Sequence, residues 1–135
     1  MNVLDSCGWL SYFTQDSNAE YFAPIIEDCE NLLVPGIVVY EVCRRLLALY
    51  DKEKHDLGLR YLKKGRFVAM NLDVFVTAAA VSKQYQLHMA DAIIWQTAQA
   101  HGATLYTQYA GLEGLPNVKF KAKSPLKVNH ESARI

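Results

Sequence analysis

The sequence has few cysteines and lacks the segments that direct a chain out of the cytoplasm. It contains three cysteines in 135 residues, and none of them forms a C-x-x-C pair. An odd, unpaired set argues against a disulfide scaffold or a structural zinc site and favours a reducing compartment. The amino terminus has no basic region, and no run approaches the ~18 apolar residues of a membrane span. We therefore expect a cytoplasmic protein with no membrane partner.

Net charge is also absent, because 14 Lys and Arg balance 14 Asp and Glu. This balance excludes a uniformly basic nucleic-acid-binding coat. The charges are nevertheless segregated along the chain. Residues 1–43 hold seven acids and no Lys or Arg, whereas residues 44–66 hold eight bases and three acids. We expect a local concentration of acid beside a local concentration of base.

The pattern of apolar residues indicates one α/β domain. With 51% hydrophobic and 21% charged residues, the composition is that of an ordinary globular domain. Short β-rich segments alternate with helical patterns, which predicts a mainly parallel sheet buried by helices on both faces and joined by right-handed crossovers. The predicted strands are 2–4, 31–34, 67–70, 104–107 and 118–120, and the later helices are 19–28, 36–50, 52–64, 72–85 and 89–100. We expect residues 1–120 to form the domain and residues 121–135 a polar, basic, poorly ordered tail.

Two acids lie where ligands usually bind in such a sheet, one at the end of a predicted strand and the other at the start of a predicted helix. Asp5 ends the first predicted strand, and Asp91 lies in the first turn of a helix. In a parallel α/β sheet, ligands bind outside the carboxyl ends of the strands, where helices also begin. Each acid alone has a structural alternative, because Asp at a helix start caps free N–H groups and complements the helix dipole.

A third acid, Glu41, lies inside a strongly apolar helix. Burying a carboxylate there is costly unless it is paired or binds a metal. Pairing with Arg44 or Arg45, three and four residues further on, is one alternative. The other is that the three acids converge around a cation, because oxygen donors of this kind select Mg²⁺ or Mn²⁺. Such a site would activate water for attack on phosphorus.

These acids lie in motifs that resemble those of PIN-domain nucleases, in particular VapC-like ribonuclease toxins of type II toxin–antitoxin systems. The motifs are Val-Leu-Asp-Ser-Cys-Gly-Trp-Leu around Asp5, Val-Pro-Gly-Ile-Val-Val-Tyr-Glu-Val around Glu41, His-Met-Ala-Asp-Ala-Ile-Ile around Asp91, and Ala-His-Gly-Ala-Thr-Leu-Tyr-Thr at residues 100–107. The resemblance covers roughly residues 1–120 and implies a three-layer α/β/α sandwich, an endoribonuclease dependent on Mg²⁺ or Mn²⁺, a homodimer, and a small VapB-like antitoxin as partner.

Carried over by position, the resemblance makes Asp5, Glu41 and Asp91 the catalytic triad, with Asp5 and Asp91 holding the metal and Glu41 orienting or deprotonating water. It places Ser6 and Thr107 as polar residues of the pocket. We expect Arg44 and Arg45 to bind substrate phosphate, with three further bases near the same path, namely Lys63, Lys64 and Arg66. Single-stranded or looped RNA suits a cleft site better than a regular helix.

One stretch departs from the family pattern. Members usually carry one or two further acids in a pattern resembling T-x-D-x-D-F, whereas this chain has Tyr109 and Gly111 at those positions and Glu113 at a shifted one. Losing a carboxylate should weaken binding of divalent metal, especially of a second ion. The alternative function is therefore a catalytically weakened PIN domain that mainly binds RNA or a protein partner.

Overall fold

The computed structural model describes residues 1–123 and contains a five-stranded parallel sheet. The strand order is β3-β2-β1-β4-β5, and every neighbouring pair is parallel. The strands are β1 (Asn2–Leu4), β2 (Leu32–Pro35), β3 (Arg66–Val68), β4 (Thr104–Thr107) and β5 (Val118–Phe120). The prediction of an α/β fold with a mainly parallel sheet is confirmed.

Six helices connect the strands. They are α1 (Ser6–Thr14), α2 (Ala19–Glu27), α3 (Gly36–Leu49), α4 (Lys52–Lys64), α5 (Leu72–Tyr85) and α6 (Met89–Ala100), with short 3₁₀ turns at Cys29–Asn31 and Ala110–Leu112. Three helices begin with an acceptor side chain that binds a backbone N–H of the first turn, at Asp5, Asp51 and Asn71. Such caps satisfy N–H groups that have no partner within the helix.

The direction of the strand connections reverses between β1 and β4. The chain moves outward from β1 to β2 and β3, then returns past β1 to form β4 and β5. Right-handed crossovers put α1–α4 on one face of the sheet and α5–α6 on the other. The carboxyl ends of β1 and β4 therefore flank the switch point, which is the place where open α/β sheets bind ligands.

The core lies on both faces of this sheet. Val3 and Leu4 of β1 and Leu105 of β4 are completely buried, and Trp9 of α1 and Ile94 of α6 cover them. Burying side chains of this size contributes about 1.5–3 kcal/mol each relative to leaving them exposed. Because β1 lies at the centre of the sheet, Asp5 at its end is held by a rigid part of the molecule.

A few predicted boundaries were wrong. The third strand covers 66–68 rather than 67–70, because its last residue, Val68, pairs with Pro35, where β2 ends. The second strand covers 32–35 rather than 31–34, so Pro35 ends β2 and directly precedes α3. Most of the predicted tail, residues 124–135, lies outside the described residues. No helix within residues 1–123 is long and apolar enough to cross a membrane.

Candidate functional site

Asp5 lies at the carboxyl end of β1 and is 3% exposed. Its Oδ1 accepts a hydrogen bond from the backbone N–H of Ser6 at 2.7 Å, and its Oδ2 accepts one from the Thr107 hydroxyl at 2.8 Å. The Cys7 thiol also donates to Oδ2 at 3.4 Å. Burial raises the pKa of Asp5, although these hydrogen bonds oppose the shift. Asp5 therefore caps α1 and also lies at the switch point of the sheet.

Glu41 is joined to the Asp5 region by one hydroxyl. The Ser6 Oγ donates to Glu41 Oε1 at 2.9 Å, across 35 residues of sequence. The ion pairs in residues 1–123 are those of Lys52 and His55 with Asp56, so the predicted alternative of Glu41 pairing with Arg44 or Arg45 is wrong. The pKa of Glu41 is raised by burial and by the charge of Asp5, and the Ser6 hydrogen bond lowers it.

Asp91 is half-buried in the first turn of α6, three residues after His88. Within residues 1–123 its carboxylate accepts no hydrogen bond, and α6 has no side-chain cap. Burial, followed by the charges of Asp5 and Glu41, raises the pKa of Asp91 to about 6, while His88 opposes the shift. The hydrogen-bonded cap that would explain Asp91 structurally is therefore absent from the described residues.

Thr107 and Cys7 complete the polar surroundings of Asp5. Thr107 is fully buried at the end of β4, so its hydroxyl reaches Asp5 from the neighbouring strand across the switch point. The Cys7 thiol lies 3.5 Å from the same hydroxyl. Burial and the charge of Asp5 raise the pKa of Cys7 to about 12, so this thiol is a neutral hydrogen-bond donor and not a nucleophile.

Tyr109 lies at one of the two positions where this sequence departs from the acidic pattern described above. Its backbone N–H donates to the Thr107 hydroxyl at 3.0 Å, and its side chain is 39% exposed. The ring lies against Gly111, where an added Cβ would be 2.6 Å from Cζ and 2.8 Å from Oη of Tyr109. The two departures from the family pattern are thus physically coupled, since the ring occupies the space of a side chain at 111. Glu113 is exposed just after this turn.

The predicted phosphate-binding residues lie on the surface. Arg44 and Arg45 are exposed on α3, one helical turn beyond Glu41, and neither forms an ion pair within residues 1–123. The three other bases are exposed at the end of α4 and in β3, namely Lys63, Lys64 and Arg66. Lys64 lies over the Tyr61 ring with its Nζ 4.9 Å from the centroid, and all five side chains remain exposed to an anionic ligand.

The carboxylate oxygens at this edge of the sheet are donors that suit a hard divalent cation, but they do not form a complete metal site. No group of three or more His, Cys, Asp or Glu side chains within residues 1–123 is arranged to hold a metal ion. The charge of Asp5 nevertheless raises the pKa of Glu41, and the charges of Asp5 and Glu41 raise that of Asp91, while none of the three carboxylates forms an ion pair within residues 1–123. Mg²⁺ is usually bound by one or two carboxylates, with waters and substrate phosphate supplying the remaining oxygens.

Sequence reasoning missed a buried polar pair that holds the loop after β4. Asn18 donates from Nδ2 to Gln108 Oε1 at 2.9 Å and to the Ala122 carbonyl at 3.1 Å. Gln108 donates in turn to the Cys7 carbonyl at 3.4 Å. Nothing in the local sequence connects residues 90 positions apart. The only signal was that Gln108 directly follows Thr107, a residue already placed in the pocket.

The fold, the switch point and the carboxylates agree with the sequence comparison. A family model described as PIN domain matches residues 3–108. The chain therefore belongs to the PIN domain family, and the resemblance noted in the sequence is confirmed. A search among curated proteins gives no significant match.

Solved structures share the fold at low sequence identity. A chain of a toxin–antitoxin complex from Klebsiella pneumoniae has a TM-score of 0.80 at 19% identity, covering 92% of this chain and 100% of that one. VapBC2 from Rickettsia felis, bound to a DNA fragment from the promoter, has a TM-score of 0.69 at 16% identity, with 90% and 97% covered. PAE2754 from Pyrobaculum aerophilum has a TM-score of 0.67 at 14% identity, with 88% and 89% covered.

Proposed function

We propose that this chain is a metal-dependent endoribonuclease and the toxin component of a toxin–antitoxin pair. The observation that carries the proposal is the arrangement of Asp5, Glu41 and Asp91 at the switch point of the sheet. Asp5 and Glu41 are joined through Ser6, and Asp91 is a half-buried carboxylate without a hydrogen-bond partner in residues 1–123. Carboxylates held close enough to repel one another cost stability, which a binding function explains.

Asp5 and Asp91 are the residues that would hold Mg²⁺ or Mn²⁺. The ion, when bound, supplies positive charge at the phosphate oxygens and lowers the pKa of water. Ser6 and Thr107 fix the orientation of the Glu41 and Asp5 carboxylates. Glu41 is the group that orients the attacking water and accepts its proton, since its raised pKa makes it a better base than an ordinary glutamate.

The substrate that fits is a flexible single strand of RNA. A cleft at the edge of a sheet cannot easily reach a phosphodiester inside a regular duplex. The exposed Arg44 and Arg45 continue the surface from Glu41 and would bind phosphates on either side of the cleaved bond. This contribution is electrostatic, so substrate affinity should fall as salt concentration rises.

Cleavage of single-stranded RNA tests the proposal. We expect cleavage with Mg²⁺ or Mn²⁺, loss of cleavage in EDTA, and a loss of about 10²-fold or more in Asp5→Asn, Glu41→Gln and Asp91→Asn. The matched control is Asp73→Asn, because Asp73 is an exposed carboxylate in the first turn of α5. Full activity in Asp5→Asn and Asp91→Asn would refute the proposal, as would equal loss in the control.

The proposed partners are an antitoxin and a second copy of the chain. An apolar groove of about 310 Å³ between β2, α3, α4 and β3 suits an apolar antitoxin segment, and its lining includes Leu59, Leu62 and Phe67. For the homodimer, α5 presents exposed Leu72 and Val76. Light scattering on the isolated chain and on Leu72→Glu tests the dimer, and copurification with the product of an adjacent short reading frame tests the antitoxin.

A second candidate function is a weakened PIN domain that mainly binds RNA or protein. The observation that favours it is Tyr109, which replaces an acid of the family pattern just after β4. Within the described residues, this position therefore adds no carboxylate to those of Asp5 and Asp91. Tyr109→Asp separates the two functions. A large gain in Mn²⁺ affinity and cleavage over a nearly inactive wild type favours the weakened domain, whereas efficient cleavage by wild type favours the enzyme.

A further inference from the structure

Tyr109 is an exposed aromatic residue that follows β4 and lies outside the hydrophobic core cluster. Its ring is 39% exposed, and it is not among the side chains packed against the core, unlike its neighbours Tyr106 and Leu115. Exposed Tyr21 and Tyr85 each pack edge-to-face against another aromatic ring, whereas Tyr109 packs against none within residues 1–123. An exposed aromatic ring close to a site for single-stranded nucleic acid offers a surface on which a base can stack.

The backbone of Tyr109 is fixed to the catalytic edge. Two hydrogen bonds, of 3.0 and 2.8 Å, run from its N–H to the Thr107 hydroxyl and from that hydroxyl to Asp5. The side chain is also restrained, because the ring rests on Gly111 at a distance that leaves no room for a Cβ. The backbone of Tyr109 is therefore held two hydrogen bonds from Asp5, and its ring has a defined position against Gly111.

We propose that Tyr109 and Gly111 form a binding site for a nucleobase of single-stranded RNA. The exposed part of the ring stacks on a base whose adjoining phosphate lies at Asp5. Stacking on an aromatic side chain suits single-stranded RNA, because its bases are unstacked and every base has a π-face. This site rests on the proposed function, since it assumes an RNA strand at the carboxylates.

The direct test is binding of a short single-stranded RNA that contains 2-aminopurine, measured by fluorescence in EDTA so that no cleavage occurs. Wild type should quench the fluorescent base by stacking. Tyr109→Ala should lose the quenching and bind about 5- to 100-fold more weakly, whereas Tyr109→Phe should keep both. An abasic oligonucleotide should bind wild type and Tyr109→Ala equally, because it offers phosphates without a base.

Gly111→Ala supplies an independent check on the ring's position. The backbone at Gly111 is not in the left-handed region, so alanine is tolerated there, but its Cβ would displace the Tyr109 ring. We expect Gly111→Ala to weaken RNA binding in wild type and to have no further effect in Tyr109→Ala. Unchanged melting temperatures separate this effect from loss of folding.

Three outcomes would overturn the base-binding site. They are equal RNA affinity of wild type and Tyr109→Ala, loss of affinity in Tyr109→Phe as large as in Tyr109→Ala, and an effect of Tyr109→Ala on binding of a protein partner but not of RNA. The nuclease proposal fails separately. A chain that quenches the base through Tyr109 but does not cleave RNA with any divalent metal would refute the nuclease and leave the base site standing.

Discussion

The hydroxyl of Ser6 and the carboxylate of Glu41 form a 2.9 Å hydrogen bond that joins α1 to α3. The Ser6 backbone N–H meanwhile binds Asp5. A single residue therefore contacts two of the three carboxylates, one through its backbone and the other through its side chain. This makes Ser6 the residue that sets the position of Glu41 relative to Asp5.

Replacing Ser6 by alanine should impair the proposed activity through Glu41. A hydrogen bond to a charged group contributes about 1.5–3 kcal/mol, so we expect kcat/KM to fall about 10- to 100-fold. The Ser6 hydrogen bond lowers the pKa of Glu41. Loss of this bond should therefore also move the acidic limb of the pH–rate profile to higher pH. Ser6→Thr keeps the hydroxyl and is the control. An unchanged profile in Ser6→Ala would show that the hydroxyl does not act on Glu41.

The contrast between Ser6 and the arginines shows what the sequence could and could not predict. Alternating patterns predicted the sheet and its helices well, because apolar periodicity is a local property that burial enforces. The partner of Glu41 is not local. Spacing along α3 allowed Arg44 or Arg45, and only the packing of α1 against α3 brings Ser6 to it instead.

The raised pKa of Asp91 predicts how stability of the metal-free protein depends on pH. A carboxyl whose pKa is about 6 in the folded chain and 3.8 in the unfolded chain binds more protons when folded between those values. The free energy of unfolding should therefore fall as pH rises through this window and remain lower above it. Asp91→Asn removes the titration.

Thermal unfolding in EDTA measures this effect. We expect Asp91→Asn to melt higher than wild type near pH 8 and to differ little from it near pH 4, because Asp91 is then largely neutral in the folded chain. Asp73→Asn, which removes an exposed carboxylate from the first turn of α5, is the matched control. A constant difference between Asp91→Asn and wild type across pH would contradict the electrostatic interpretation.

Cys7 should be the least reactive of the three thiols. Its pKa is raised to about 12 by burial and by Asp5, and alkylation requires the thiolate. Iodoacetamide should therefore label Cys29 and Cys43 in the native chain well before Cys7, as read by peptide mass spectrometry. Urea should make all three similar. Asp5→Asn should speed labelling of Cys7 because it removes a neighbouring charge, and an unchanged rate would show that Asp5 is not ionised there.

The buried pair Asn18 and Gln108 should support both the fold and the site. Asn18 is 1% exposed and Gln108 is 7% exposed, so removing either leaves a buried polar group without its partner. We expect Asn18→Ala to lower the free energy of unfolding by about 1–3 kcal/mol in urea titrations. The double variant Asn18→Ala with Gln108→Ala should lose less stability than the sum of the two single losses. Both substitutions remove the same hydrogen bond. Strict additivity would mean that the pair is not coupled.

Since Gln108 follows Thr107, Asn18→Ala should also reduce RNA cleavage more than its loss of stability explains, measured at a temperature where the variant is fully folded.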